Sequence, residues 1–262
     1  MKTLDNFIEK LKIEKGSVLL LTENSLTLLM AMKKTDEISQ YSIDELFDIL
    51  LDKLIEKLGD KGTLLIQTFD WRFCNSKTYD INNSISRTSF LGNIALKRDD
   101  FIRTKHPIYS FAVTGKYKDD LANLDNRGAF DINSPFHFIY KKKAKMIIID
   151  ISIQKSFTFV HFVEEMEQVS YRYNKSFTSQ YINDKGIENT KTYDMYVRDI
   201  ENNVLAYFEP LENLFTKNDA MKKYMMDELV IREVDLYKAY NIIENDIRNN
   251  NAKSLYKIGE NN

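Results

Sequence analysis

Cysteine occurs once in 262 residues, as Cys74, and histidine three times, as His106, His137 and His161. A lone cysteine excludes an intramolecular disulfide and fits a reducing compartment. The histidines lie far apart in the chain, and no His/Cys spacing matches a known ligand set, so no metal is expected. Long apolar runs are missing as well. Nothing approaches the roughly 18 residues of a membrane span, and Met1-Lys2-Thr3-Leu4-Asp5 leads into an amphipathic pattern rather than a signal peptide. The expected location is therefore the cytoplasm, with no membrane partner. Neither sign of charge dominates: 37 basic side chains against 39 acidic ones leave a net −2. Such a chain has no global field with which to hold a polyanion, and nucleic acid is not an expected partner.

What is present is ordinary for a folded protein, with 43% hydrophobic and 29% charged residues. Leu4, Phe7, Ile8 and Leu11 recur at helical spacing, and Gly16 opens a buried strand, Ser17 to Leu21. Ser42-Ile43-Asp44-Glu45 is a capping-box pattern for a helix that carries Leu46, Phe47, Leu50, Leu54 and Leu58 to a stop at Gly59. Thr63–Gln67 reads as the next strand. A helix near residues 90–101, a strand over Ile108–Val113, and a short helix entered by Ser134-Pro135 follow. Lys145 to Asp150 is the clearest buried strand, with His161 on the helix after it. From Tyr171 the residues alternate aromatic and polar around Asn183-Asp184-Lys185-Gly186, which predicts a hairpin over 171–199. Helical periodicity returns at 204–228 and 236–249.

Helix following strand in this rhythm predicts an α/β sheet covered by helices. No repeat or linker forces a boundary, so residues 1–250 are expected to form one domain, with 251–262 a polar tail that frays. Ligands of open α/β sheets collect at the carboxyl ends of strands, here the loops after Leu21, Ile66 and Ile149. The helices read after residue 204 either cover the sheet or form a homo-oligomer contact.

His161 stands three residues ahead of Glu164 in Ser156-Phe157-Thr158-Phe159-Val160-His161-Phe162-Val163-Glu164-Glu165, a spacing that places both on one face of a helix. An imidazole with an ordinary pKa near about 6.5 can take a proton from an attacking amine, and a carboxylate one turn on can fix its tautomer. Cys74 as an acyl carrier is disfavoured, because it has no neighbouring histidine and a lone cysteine usually packs as an inert thiol. His137, between Phe136 and Phe138, reads as structural, and Tyr171 and Phe177 as packing residues.

Five phrases follow one another in a familiar order: Gly16 to Ser25; Gly62 to Phe69; Arg103-Thr104-Lys105-His106-Pro107 with Ser110; Ser134-Pro135; and Ser156 to His161 with Glu164. Over residues 16 to about 200 the chain resembles the aminoglycoside 3-N-acetyltransferase family. It is most similar to a branch found with surface-polysaccharide genes, through Tyr171-Arg172-Tyr173 and Met195-Tyr196-Val197-Arg198-Asp199. The resemblance implies a mixed central β-sheet flanked by helices, here with the antiparallel hairpin added. It also implies acyl transfer from coenzyme A (acetyl-CoA) to a sugar amine, without an acyl-enzyme and with His161 as catalytic base and Glu164 as its orienting carboxylate. By position the family's cofactor loops fall on Thr22, Glu23, Asn24 and Ser25, with Arg103 and Thr104, and on His106, which shapes the cleft. The chain departs from the aminoglycoside-modifying members at Thr22-Glu23-Asn24, where they carry His-Ser-Ser. Gln67 replaces a usual proline, and Ile85 and Ser89 stand where proline and glycine are common.

A sugar acceptor calls for polar and aromatic walls. Asp70, Trp71 and Phe73 follow the second strand, and Tyr173, Asp194, Arg198 and Asp199 come from the hairpin. Because Lys175, Lys185, Lys191 and Arg198 dilute the hairpin's acids, the expected acceptor is an amino sugar, nucleotide-linked, with Arg172 and Arg198 on its diphosphate. An aminoglycoside is the alternative, and a binding relative without catalysis, suggested by Glu23 and Gln67, is the second.

Overall fold

Three of the strands have apolar centres, buried on both sides, because both faces of the sheet are covered. In the computed structural model, which describes residues 2–33 and 40–259, β1 (Val18–Glu23), β2 (Thr63–Gln67) and β6 (Lys145–Ile149) lie parallel and side by side. Alternate residues face opposite ways. Leu19, Leu21, Leu64, Ile66, Ile147 and Ile149 enter one core, and Leu20, Leu65, Met146 and Ile148 the other.

The first core is closed by α1 (Lys2–Lys10), α2 (Ser25–Met32), α3 (Ile43–Leu58) and α4 (Phe90–Ala95). The predicted capping box is formed at α3: Ser42 Oγ accepts from Glu45 N, and Glu45 Oε2 accepts from Ser42 N at 2.8 Å. Such a cap stabilises a helix by about 1 kcal/mol. Gly59 ends α3 at φ 64°. The second core is closed by α5 (Lys118–Asn123), α6 (Pro135–Lys141), α7 (Ile153–Ser156), α8 (Phe159–Met166), α9 (Glu209–Lys217) and α10 (Leu236–Asn250).

The remaining strands are β3 (Tyr79–Asp80), β4 (Ile102–Arg103), β5 (Phe111–Gly115), β7 (Arg172–Ile182), β8 (Glu188–Arg198), β9 (Val204–Ala206), β10 (Met221–Met226), β11 (Leu229–Asp235) and β12 (Tyr256–Ile258). The central sheet runs β10-β11-β6-β1-β2-β5-β4, with β11 antiparallel to β6 and β5 antiparallel to β2. It is the mixed sheet expected. The hairpin β7–β8 is also in place, turning at Gly186, and β3 adds to it in parallel.

Several expectations change. Residues 204–228, read as helical, hold β9, α9 and β10, because Pro210 starts a new helix and Asp227, at φ 53°, turns β10 into β11. The helix near 90–101 ends at Ala95. The strand read from Ile108 begins at Phe111, after a turn in which His106 Nδ1 accepts from Tyr109 N. The stretch 251–258 does not fray. Leu255 is fully buried, Asp246 accepts from Ser254 N and Oγ, and β12 pairs antiparallel with β9; residues 260–262 lie outside the described residues. Of the helices after residue 204, α10 covers the core with Leu236, Ala239 and Ile243. No described helix is long and apolar enough to cross a membrane.

Candidate active site at the carboxyl ends of the parallel strands

The chain leaves β6 through Asp150, at φ 53°, and reaches α8 by way of α7. Phe159, Val160, Phe162 and Val163 bury α8, which fixes the rotation of the helix and sets His161 and Glu164 together. His161 Nδ1 lies 2.6 Å from Glu164 Oε2. A carboxylate only accepts, so Nδ1 carries the proton and Nε2 is left as the basic nitrogen.

Glu164 is wholly buried and multiply held. Tyr171 donates its hydroxyl to Oε1 at 2.9 Å. Arg172 Nε stands 2.7 Å from Oε2 as an ion pair, off the line of a hydrogen bond, while Arg172 Nη1 donates to Tyr196 O at 3.2 Å. Burial alone would raise the Glu164 pKa; the Arg172 cation and the His161 and Tyr171 hydrogen bonds bring it below the ordinary carboxylate value. His161 is shifted down, by burial first and by Arg172 next, against the pull of Glu164. The imidazole is thus neutral and available as a base at neutral pH. Its walls are the rings of Phe130, at 5.7 Å, and Phe208, at 5.5 Å.

Glu165, the residue after Glu164, belongs to a group of acids with Asp131 and Asp194. Ala129 N donates to Asp194 O and Asp194 N donates to Arg127 O, which pins the loop before α6 to β8 and carries Phe130 and Asp131 to the site. Glu165 is buried, and its pKa is pushed up to about 7 by burial and by the negative charges of Asp131 and Asp194; its Oε2 has no protein partner. Asp194 is held by Arg127 and Ser176. Sequence reasoning had Asp194 but missed Asp131, Glu165, Phe130 and Phe208. Glu165 was visible as the neighbour of Glu164; the loop carrying Phe130 and Asp131 has no motif to announce it.

The expected cofactor residues divide. Asn24 caps α2, accepting from Thr27 N, and Ser25 begins that helix. Thr22 and Gln67 sit side by side at the ends of β1 and β2, on the face of the second core; Thr22 Oγ1 and Gln67 Nε2 are buried without protein partners. Glu23 points to the other face, where Oε1 accepts from Ser25 Oγ and Ser89 Oγ, each at 2.8 Å, and burial pushes its pKa up to about 7. With that value it is only about half ionised near pH 7, so the expected repulsion of a phosphate is weakened. Arg103 is buried with all three nitrogens on protein acceptors: Nε on Ser110 Oγ, Nη2 on Thr68 O, and Nη1 on Ser84 O. Thr104 Oγ1 accepts from Phe111 N. His106 is fully buried, its pKa driven down to about 4 by burial. Arg103 and Thr104 brace β4 and β5, and His106 holds the turn before β5 through Nδ1, while its buried Nε2 has no protein partner.

Of the acceptor residues, Asp70 is buried in a two-pronged pair with Arg72, at 2.8 and 2.6 Å, and caps the 3-10 turn Trp71–Asn75. Trp71 is exposed, edge-on to Tyr109. Phe73 is core, against Tyr193. Arg198 pairs across the hairpin with Arg172 and shares its face, whereas Tyr173 falls on the opposite, exposed side. Asp199 caps the turn at Asn202. Arg172, expected on a diphosphate, is buried against Glu164 instead. Cys74 is half-buried with its thiol pushed up to about 11, chiefly by burial, and is no nucleophile at neutral pH.

A family model described as aminoglycoside 3-N-acetyltransferase matches residues 34–247. No curated protein matches the chain. Among solved structures, sisomicin-bound AAC-VIa is similar with a TM-score of 0.74 at 14% identity, covering 94% of this chain and 96% of that one. AAC-IIIb in a binary complex with CoASH also scores 0.74, at 13% identity, with 95% and 96% covered. The YokD protein from Bacillus subtilis scores 0.71 at 17% identity, with 96% and 94% covered. At these identities the likeness establishes the fold, a mixed sheet between helices.

Proposed function

This chain belongs to the aminoglycoside 3-N-acetyltransferase family, and on that premise we propose that it moves an acetyl group from acetyl-CoA to an amine of an aminoglycoside, with His161 as general base. The amine nitrogen attacks the thioester carbonyl and gives its proton to His161 Nε2. As the C–N bond forms, the C–S bond breaks, and the imidazolium returns the proton to the departing thiolate. Glu164 stabilises the imidazolium and holds its tautomer.

The observation that carries the choice of acceptor is the gathering of three acids, Glu165 next to Glu164 in the chain, Asp131 on the loop whose Phe130 packs on His161, and Asp194 on β8. A polycationic sugar is attracted to such a wall, whereas the diphosphate of a nucleotide-linked sugar is repelled. The preference drawn from the hairpin's lysines therefore gives way to the aminoglycoside alternative, in keeping with the family's description and with Arg172 being occupied by Glu164. For the donor, the unpaired Thr22 hydroxyl and Gln67 amide fit the amide-bearing pantetheine arm of coenzyme A, with Asn24 and Ser25 beside them. The intact dyad argues against a scaffold that has lost catalysis, since a scaffold has no use for a buried carboxylate on an imidazole.

The test is release of coenzyme A thiol from acetyl-CoA with aminoglycosides and, separately, with nucleotide-linked amino sugars. Turnover confined to aminoglycosides and abolished by His161→Ala is the expected result. Turnover only on nucleotide-linked sugars would overturn the acceptor, and full activity in the variant would overturn the base.

A further inference from the structure

The polar stretch after α10 packs on Tyr171, the phenol that donates to Glu164. The family model ends at residue 247, and the residues beyond it fold back: Leu255 is buried, Tyr207 N donates to Leu255 O at 2.9 Å, and β12 pairs with β9 so that Tyr256 lies opposite Ala206. From this strand the Tyr256 ring stacks on Tyr171, with centroids 3.9 Å apart and planes 19° apart. The same Tyr171 donates its hydroxyl to Glu164 Oε1, whose other oxygen holds His161. On the far side of the imidazole, β9 leads directly into Phe208, the ring packed on His161.

We propose that Tyr256 is a positioning residue for the acetyl transfer, acting through Tyr171 to fix Glu164 and thereby the orientation and basicity of His161. The inference rests on His161 being the base, as argued above. A phenol bonded to a carboxylate needs its ring held in one plane, and Tyr171, the residue before β7, accepts at its carbonyl from Asp199 N at 3.0 Å, which fixes its backbone but not its ring. Its stacking partner is supplied by Tyr256. Stacking of two aromatic rings is favourable beyond their burial, and here it favours one orientation of the Tyr171 ring. The titratable groups facing Glu164 are His161 on its own helix, Tyr171 and Arg172 at the start of β7, and Tyr196 on β8. Of these, only Tyr171 is held by Tyr256. Loss of the Tyr171 hydrogen bond leaves the Glu164 charge less satisfied, so the carboxylate holds the imidazolium more tightly and the His161 pKa rises.

The experiment follows the His161 ring by NMR titration in the ligand-free protein, beside thiol-release kinetics, for Tyr171→Phe, Tyr256→Ala and Tyr256→Phe. Tyr171→Phe and Tyr256→Ala should each move the His161 pKa up by about half a unit to one unit, with kcat lower by about fivefold because a loosened Glu164 no longer aims the imidazole at the amine. Both KM values stay near wild type, and Tyr256→Phe, which keeps the stack, restores the wild-type titration. The double variant Tyr171→Phe/Tyr256→Ala should be no worse in kcat than Tyr171→Phe. Wild-type titration in Tyr256→Ala, additive losses in the double variant, or a shift in Tyr256→Phe as large as in Tyr256→Ala would each overturn the proposal. If Tyr256→Ala does not fold, an unshifted His161 in the isosteric Tyr171→Phe overturns it equally. His161→Ala separates the two levels. Activity in that variant removes the base assignment, whereas a dead His161→Ala with normal Tyr256 variants removes this inference alone.

Discussion

Arg172 Nε and His161 Nδ1 converge on one oxygen, Glu164 Oε2, at 2.7 and 2.6 Å. A buried carboxylate is thereby held ionised between a permanent cation and an imidazole that the proposed mechanism charges. Burial first, and Arg172 next, keep the imidazole neutral at rest, while Glu164 stands where it would stabilise the imidazolium.

Replacing His161 by alanine should lower kcat by about a hundred- to ten-thousand-fold, the usual contribution of a positioned general base. Thermal-shift titration with coenzyme A should show binding unchanged, since the donor's partners stand at the ends of β1 and β2. A parallel loss of coenzyme A affinity would mean that His161 serves binding instead.

Arg172→Met should destabilise the fold by about 3 kcal/mol or more, because it strands the Glu164 charge in the core. The sign with pH follows from the lowered Glu164 pKa. Its stabilising contribution is present above the unfolded value near 4.5 and is lost as pH falls through the lower folded value. The melting temperatures of wild type and variant should therefore converge on acidification below pH 4.5.

Glu23 carries the opposite sign. Its folded pKa of about 7 lies above the model-compound value of 4.5, so its favourable contribution is complete below pH 4.5 and disappears as pH rises through about 7. Glu23→Gln keeps an oxygen for Ser25 and Ser89. It should leave the melting temperature unchanged at pH 4.5 and raise it at pH 8, by at most about 3 kcal/mol of stability. Equal effects at both pH values would show that Glu23 is ionised in the fold.

Asp131→Asn should raise the KM for an aminoglycoside about fivefold, corresponding to about 1 kcal/mol for a partly solvated charge pair, with the KM for acetyl-CoA unchanged. High salt should shrink the difference. Steady-state kinetics at two ionic strengths check both statements, and a neutral acceptor analogue should not distinguish the variant from wild type.

The layers of the fold and its central pair were legible in the sequence because they depend on local rules. The capping box at Ser42, the stop at Gly59 and the apolar strands β1, β2 and β6 need only spacing and propensity, and the i,i+3 interval of His161 and Glu164 needs only a helix. The stretch 204–228 was misread because Met221, Tyr224 and Met225 in β10 recur at i, i+3 and i+4, a helical period, until Asp227 and Pro210 divide the segment. Arg103 and Thr104 looked like ligand residues by position, yet their side chains are taken up in bracing β4 and β5, and His106 spends Nδ1 on the turn before β5.

The amino-acid sequence by itself determined where strands and helices form, that both faces of the sheet are covered, and that a histidine and a carboxylate share one helical face. Tertiary structure alone decided what surrounds that pair. Asp131 lies 30 residues before His161 and reaches it only through the pairing of Gly128 with Asp194. Tyr256 lies 92 residues beyond Glu164, at the end of a stretch whose polarity reads as a fraying tail, and it arrives because Leu255 finds a buried place beside β9. Local preference acts over a turn or a strand; charge and stacking act across space, and only the packed chain brings such residues within their range.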